Sequence, residues 1–163
     1  MKAEYVNPFI EAVYELFSTV LSTEVKRGEL GIVQEMGQPR DITALIGFSG
    51  PARGMAALSF PVTTALSMVS RVRGTETRVV DESVMDFVAE LVNAVAGIAR
   101  ARLAKSGAPI DLALPTVVRG VRYAVDYPSQ SHWLDVPFAS ALGPFRLRVT
   151  LEIADLPQPQ ARA

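Results

Sequence analysis

Asp81–Lys105 reads DESVMDFVAELVNAVAGIARARLAK, and how this stretch folds decides the rest. It holds no proline and one glycine, and it is rich in Ala, Val and Leu with charges at both ends. Asp81 has the side chain of an N-cap, and Glu82 and Asp86 place negative charge near the positive end of a helix dipole. Arg100, Arg102 and Lys105 place positive charge at the other end, where Ser106-Gly107 stops the run. The pattern predicts one helix over 81–105. At about 100° per residue, Val84, Met85, Val88, Leu91, Val92, Val95, Ile98, Ala99 and Leu103 fall in one arc of about 140°, which is the expected core face. Asp86, Glu90, Asn93 and Gly97 fall on the opposite side.

That outer face is the first place to look for function. Glu90 and Asn93 are three residues apart, so their side chains project about one turn apart from the same side. Gly97, a turn further on, lowers helix stability by about 1 kcal/mol relative to Ala and leaves a bare notch for another surface. The chain has two asparagines, Asn7 and Asn93. A mid-helix Asn is unfavourable because its amide competes for backbone hydrogen bonds. On spacing alone an outward Glu and Asn read as ordinary solvated residues, since with ten glutamates in the chain a chance Glu-x-x-Asn is unremarkable.

Working outward, 163 residues suffice for one domain with a substantial core. Hydrophobic residues make up 49% and charged residues 20%, a globular composition. The net charge of -1 gives no overall pull toward nucleic acid or anionic lipid. Without cysteine there are no disulfides and no thiolate chemistry, which suits a reducing compartment. No charged-then-apolar leader and no bilayer-length apolar run is present, so the expectation is a cytoplasmic protein that engages neither membrane nor nucleic acid.

Upstream, Asn7-Pro8 reads as a cap followed by proline at the first helical position. A helix is expected over 7–21, with Phe9, Ile10, Val13, Leu16, Phe17 and Val20 inward. Residues 24–33, broken by Gly28 and Gly31, suggest a first strand, and 37–40 a turn. Residues 41–48 and 55–60 form an expected antiparallel hairpin. Pro61 opens a short helix over 62–73 that ends at Gly74. Downstream, 112–118 contains Pro115 and so reads as an edge strand or one broken by a bulge. Arg119-Gly120 turns into 121–127, 128–140 reads as irregular, and 142–153 alternates as a strand with one buried and one wet face. A domain is expected over 1–153, with 154–163 as a loose tail. A faint echo between GFSGPARGMAALSF and FASALGPFRLRVTL, each a Gly-Pro turn beside a strand, suggests a duplicated unit. The expected fold is α+β: a mostly antiparallel sheet with two long helices packed on one face.

Most conventional chemistry is missing. The glycines lack nucleotide-loop spacing. His132, the sole histidine, sits in an irregular segment and reads as a surface residue, and one His without Cys makes a zinc site improbable. Asp81, Glu82 and Asp86 are explained as a charge-complemented helix start. Arg71, Arg73 and Arg78 read as a solvated helix end. Any catalysis would need a partner that brings most of the reacting groups.

Several segments taken together resemble a known family. Glu90-x-x-Asn93-x-x-x-Gly97 is followed by Leu114-Pro115-Thr116-Val117-Val118-Arg119-Gly120. Ahead stand Asn7-Pro8-Phe9 and Gly47-Phe48-Ser49-Gly50 leading to Leu58-Ser59-Phe60-Pro61. In this order they resemble the CheC/CheX/FliY chemotaxis phosphatases, and the CheX type most, over about residues 3–153. The resemblance implies a CheC-like pseudo-duplicated fold and hydrolysis of the aspartyl phosphate of a CheY-like response regulator. It implies that Asn93 positions the water and Glu90 pairs with a regulator lysine, with Asp86 and Gly97 in partner docking. It further implies no cofactor of the chain's own, Mg²⁺ being brought by the regulator, and a homodimer joined through sheet edges, for which the 142–153 strand is one candidate. CheC-type members carry a second Glu-x-x-Asn on the first helix. Here that face offers Glu11 with Tyr14, or Glu15 with Ser18, so one site is expected. The competing reading is a non-catalytic dimeric adaptor for a receiver domain or flagellar switch component.

Overall fold

The first helix starts a turn before its proline. In this computed structural model, which describes residues 3–33, 41–120 and 132–153, α1 spans Ala3–Val20 with Pro8 inside it. Asn7 is therefore an exposed helical residue and not a cap. Val6 is buried and Tyr5 packs on the core. Their burial draws the preceding turn into the helix despite the amide that Pro8 lacks. Val20, expected inward, is 49% exposed.

Strands β1 (Val25–Arg27), β2 (Gly31–Val33), β3 (Asp41–Ser49) and β4 (Ala52–Pro61) follow, then helices α2 (Val62–Arg73) and α3 (Glu82–Lys105). The chain continues as β5 (Asp111–Leu112), β6 (Thr116–Arg119), β7 (Trp133–Ser140) and β8 (Phe145–Ile153). The expected turn at 37–40, the stretch 121–127 and the expected tail at 154–163 lie outside the described residues.

All pairings among the described strands are antiparallel, and the sheet runs β1/β2-β7-β8-β4-β3-β5/β6. Both outer positions are filled by a strand in two pieces, and both breaks are bulges. Arg27 pairs with Phe138 and Gly31 with Asp135, so residues 28–30 oppose only 136–137. Leu112 pairs with Phe48 and Thr116 with Leu45, so 113–115 oppose only 46–47. One extra residue sits in each. Their amides are held alike, Gly28 N–H donating to the Pro137 carbonyl at 2.8 Å and Ala113 N–H to the Gly47 carbonyl at 2.9 Å.

This symmetry is the duplication the sequence hints at. Each half supplies a long helix, a bulged strand and a hairpin, and each bulged strand pairs with the other half's hairpin. The two hairpin turns match as well. Gly50 and Gly143, each followed by proline, have φ of 133° and 124°, a region open to glycine and strained for other residues.

Two expectations fail on the second hairpin. Residues 133–140, expected irregular, form β7, because Pro137 faces the bulge with its carbonyl and needs no ladder amide there. The last strand, expected to have a wet face and to be an edge candidate, lies in the sheet interior between β7 and β4. Arg148 and Thr150 on that face are buried at 3% and 0% exposure. Arg148 Nε donates to Asp135 at 2.9 Å, and Arg146 pairs with the same carboxylate.

Helices and sheet enclose one large core, in which Phe145 stacks on Phe17 at 4.5 Å and on Phe138 at 5.1 Å. A smaller cluster on the far side of the sheet gathers Leu45, Ala57 and Trp133.

Candidate active site on the long helix

Helix α3 follows its sequence closely. Asp81 is the N-cap, accepting from the Val84 amide at 3.1 Å and from the Ser83 hydroxyl. The Ser83 hydroxyl first, then the Val84 amide, hold the Asp81 carboxyl below the ordinary carboxylate range. At the other end Ser106 N–H donates to the Arg102 and Leu103 carbonyls, and Gly107 turns away at φ 84°. Val84, Val88, Leu91, Val92, Val95, Ala99 and Leu103 are buried against the sheet and α1, with Met85 and Ile98 half-buried.

With that face fixed inward, helical period alone sends the opposite face to solvent. Asp86, Glu90 and Asn93 are exposed, and Gly97 is half-buried. Among the described residues, no hydrogen bond or ion pair engages the side chain of Glu90 or Asn93, and Asp86 forms no ion pair. A Cβ at Gly97 would meet nothing within 4 Å. A carboxylate, a carboxamide and a bare stretch of helix thus stand side by side with their bonding capacity unused. Such a pair can accept from a water, donate to an anion and ion-pair with a cation. By itself it has no nucleophile or metal ligand set; no cluster of three or more metal-ligating side chains occurs among the described residues.

The equivalent face of α1 is occupied differently. Arg102 Nη1 donates to Glu11 at 2.6 Å and Nη2 to Glu15 at 3.2 Å, tying α1 to α3. The Glu15 hydrogen bond and the charge of Glu11 raise the Arg102 guanidinium above its already high value. Both α1 carboxylates that could have joined a second pair are therefore engaged. A groove of about 830 Å³ lies beside this tie between α1 and the end of α3, and neither Glu90 nor Asn93 lines it.

A smaller groove of about 180 Å³ does reach the site. It runs between α2 and the start of α3, bounded by Val72, Arg73, Ser83, Asp86, Phe87 and Glu90. Sequence patterns did not mark it, since it depends on how α2 leans against α3. The basic residues near it are separately engaged: Arg71 donates to the Leu21 carbonyl, Arg73 to Ser83, and Arg78 to Glu76. His132 is exposed. No helix among the described residues is long and apolar enough to cross a membrane.

Comparison with known proteins gives this geometry a context. No curated protein sequence matches the chain significantly. Solved structures do. Chemotaxis protein CheX from Vibrio vulnificus is 30% identical over 92% of this chain and 100% of that one, with a TM-score of 0.83. A CheC-like superfamily protein from Shewanella sp. PV-4 is 29% identical over 93% and 99%, with a TM-score of 0.85. The CheX chain of a CheX–CheY–BeF3–Mg²⁺ complex from Borrelia burgdorferi, at 22% identity over 93% and 99%, shares the fold with a TM-score of 0.77. The sequence profile of the family described as chemotaxis phosphatase CheX matches residues 42–139, more than half of the chain and the span that carries Glu90 and Asn93. The chain belongs to the CheX family of chemotaxis phosphatases.

Proposed function

We propose that this protein hydrolyses the aspartyl phosphate of a CheY-like receiver domain, ending that domain's signal in the cytoplasm. The observation that carries the reading is the joint exposure of Glu90 and Asn93, without a partner among the described residues and one turn apart on a helix whose other face packs on the core. The related Borrelia protein, solved with CheY, BeF3 and Mg²⁺, supports a receiver as the partner.

The receiver brings the acyl phosphate and a Mg²⁺ that offsets charge on the phosphoryl oxygens. What remains is to place a water in line with phosphorus. Asn93 enters the receiver site, and its carboxamide oxygen accepts a hydrogen bond from that water. Its amide carries no charge to repel the phosphoryl group. The water oxygen attacks phosphorus, the bond from phosphorus to the aspartyl oxygen breaks, and the receiver carboxylate and inorganic phosphate leave. Fixing the water removes an orientational part of the barrier. Glu90, one turn away, pairs with a receiver lysine and sets the register. Gly97 lets the receiver backbone approach without a side chain between.

The test is phosphate release from a phosphorylated receiver with this protein at substoichiometric amount. Multiple turnovers are expected, with Asn93→Ala lowering kcat by about 10²-fold or more and leaving thermal stability unchanged. Binding without turnover by the wild type, or full activity of a folded Asn93→Ala variant, would overturn the assignment.

A further inference from the structure

The groove beside Glu90 combines features that a solvated helix surface does not need. Val72 on α2 is 49% exposed, and Phe87 on α3 is half-buried next to it. Asp86 and Glu90 stand on its rim four residues apart, an arrangement in which like charges weaken a helix. Arg73 also borders the groove, yet its guanidinium is directed to the Ser83 and Thr77 hydroxyls. Among the described residues neither carboxylate has an ion-pair partner. An apolar trough thus runs up to two unneutralised carboxylates.

That chemistry fits one kind of side chain: a cation on an apolar stem. Lys and Arg lay their methylenes along apolar surface while the charged head stays at a polar rim. Glu90 and Asp86 are four residues apart, about 6 Å along the helix, so a cation held by one leaves room for another at the second. We propose that the α2–α3 groove is a second docking subsite for the receiver. It takes a Lys or Arg side chain distinct from the one that pairs with Glu90, with the stem over Val72 and Phe87 and the head on Asp86. This rests on the receiver-phosphatase reading above and extends the contact surface from α3 onto α2. Charge complementarity and continuity with the Glu90–Asn93 face select a receiver as occupant.

The experiment measures affinity and turnover separately. Isothermal titration uses a receiver domain activated with beryllofluoride and Mg²⁺, at low and moderate salt, against the full-length protein. Its expected results are a roughly three- to tenfold weaker Kd for Asp86→Asn and a shallower salt dependence. Val72→Lys, which supplies the groove with a cation of its own, should weaken binding to a similar extent. Both variants should keep the wild-type kcat at saturating phosphorylated receiver, and both replace exposed residues, so circular dichroism should be unchanged and Tm should not fall. Wild-type Kd and salt dependence in both folded variants would overturn the subsite while leaving the phosphatase assignment standing. If the wild type neither binds nor dephosphorylates the receiver, the assignment falls and the subsite falls with it.

Discussion

At the scale of single residues, the site is defined as much by what is missing as by what is present. Gly97 has open space above it, so its lack of a side chain serves nothing inside this molecule. Gly97→Ala should raise stability by about 1 kcal/mol, read as a higher urea midpoint. Gly97→Leu should fold equally well but raise the KM for phosphorylated receiver, because under the proposed docking the added side chain would project toward the partner backbone. Equal KM for wild type and Gly97→Leu would show that no close approach occurs there. Glu90 and Asn93 were legible from sequence because their exposure follows from period: once Val88, Leu91, Val92 and Val95 are inward, positions 90 and 93 have no other place to go. Asn7 shows the limit of the same reasoning. An Asn-Pro pair carries a strong local signal for a helix start, and burial of Val6 with packing of Tyr5 outweighed it.

At the scale of elements, helix ends and strand breaks divide the legible from the hidden. The cap of α3 was readable because Asp81 and the residues it bonds, Ser83 and Val84, are sequence neighbours. Its pH behaviour follows from the lowered carboxyl. Folding favours the charged form, so the cap stabilises above the ordinary value near 3.8 and its contribution is lost as pH falls through the lower folded-state value. Asp81→Asn keeps a capping side chain without the charge. It should flatten this acid-limb loss in a plot of Tm against pH while changing neutral-pH stability little. An unchanged acid limb would assign the loss to other carboxylates. Strand β7 was hidden for the complementary reason. Pro137 reads locally as a breaker, and only the bulge more than a hundred residues earlier, where Gly28 donates to its carbonyl, makes a proline acceptable at that register. The interior place of β8 was hidden too. Alternating Arg and Thr look like a wet face until Asp135 on β7 is found across from Arg148.

At the scale of the whole molecule, the two hairpins meet at the middle of the sheet, β4 against β8. Gly54 sits in it so tightly that a Cβ would lie 1.9 Å from the Thr150 carbonyl oxygen and 2.8 Å from the Leu151 Cα. Backbone on the opposing strand cannot yield as a side chain would. Gly54→Ala should therefore destabilise at or above the upper end of the about 1–3 kcal/mol usual for overpacking, measured as a lower urea midpoint. A near-neutral result would mean the seam can open locally. The sheet order has a separate consequence for how the chain must be made. Since each hairpin is flanked by a strand borrowed from the opposite half, residues 1–74 emerging first from a ribosome carry β1/β2 with no hairpin to join and β3 with a bare edge. The first half cannot complete its own sheet alone, so closing both outer positions waits on the arrival of β5 through β8.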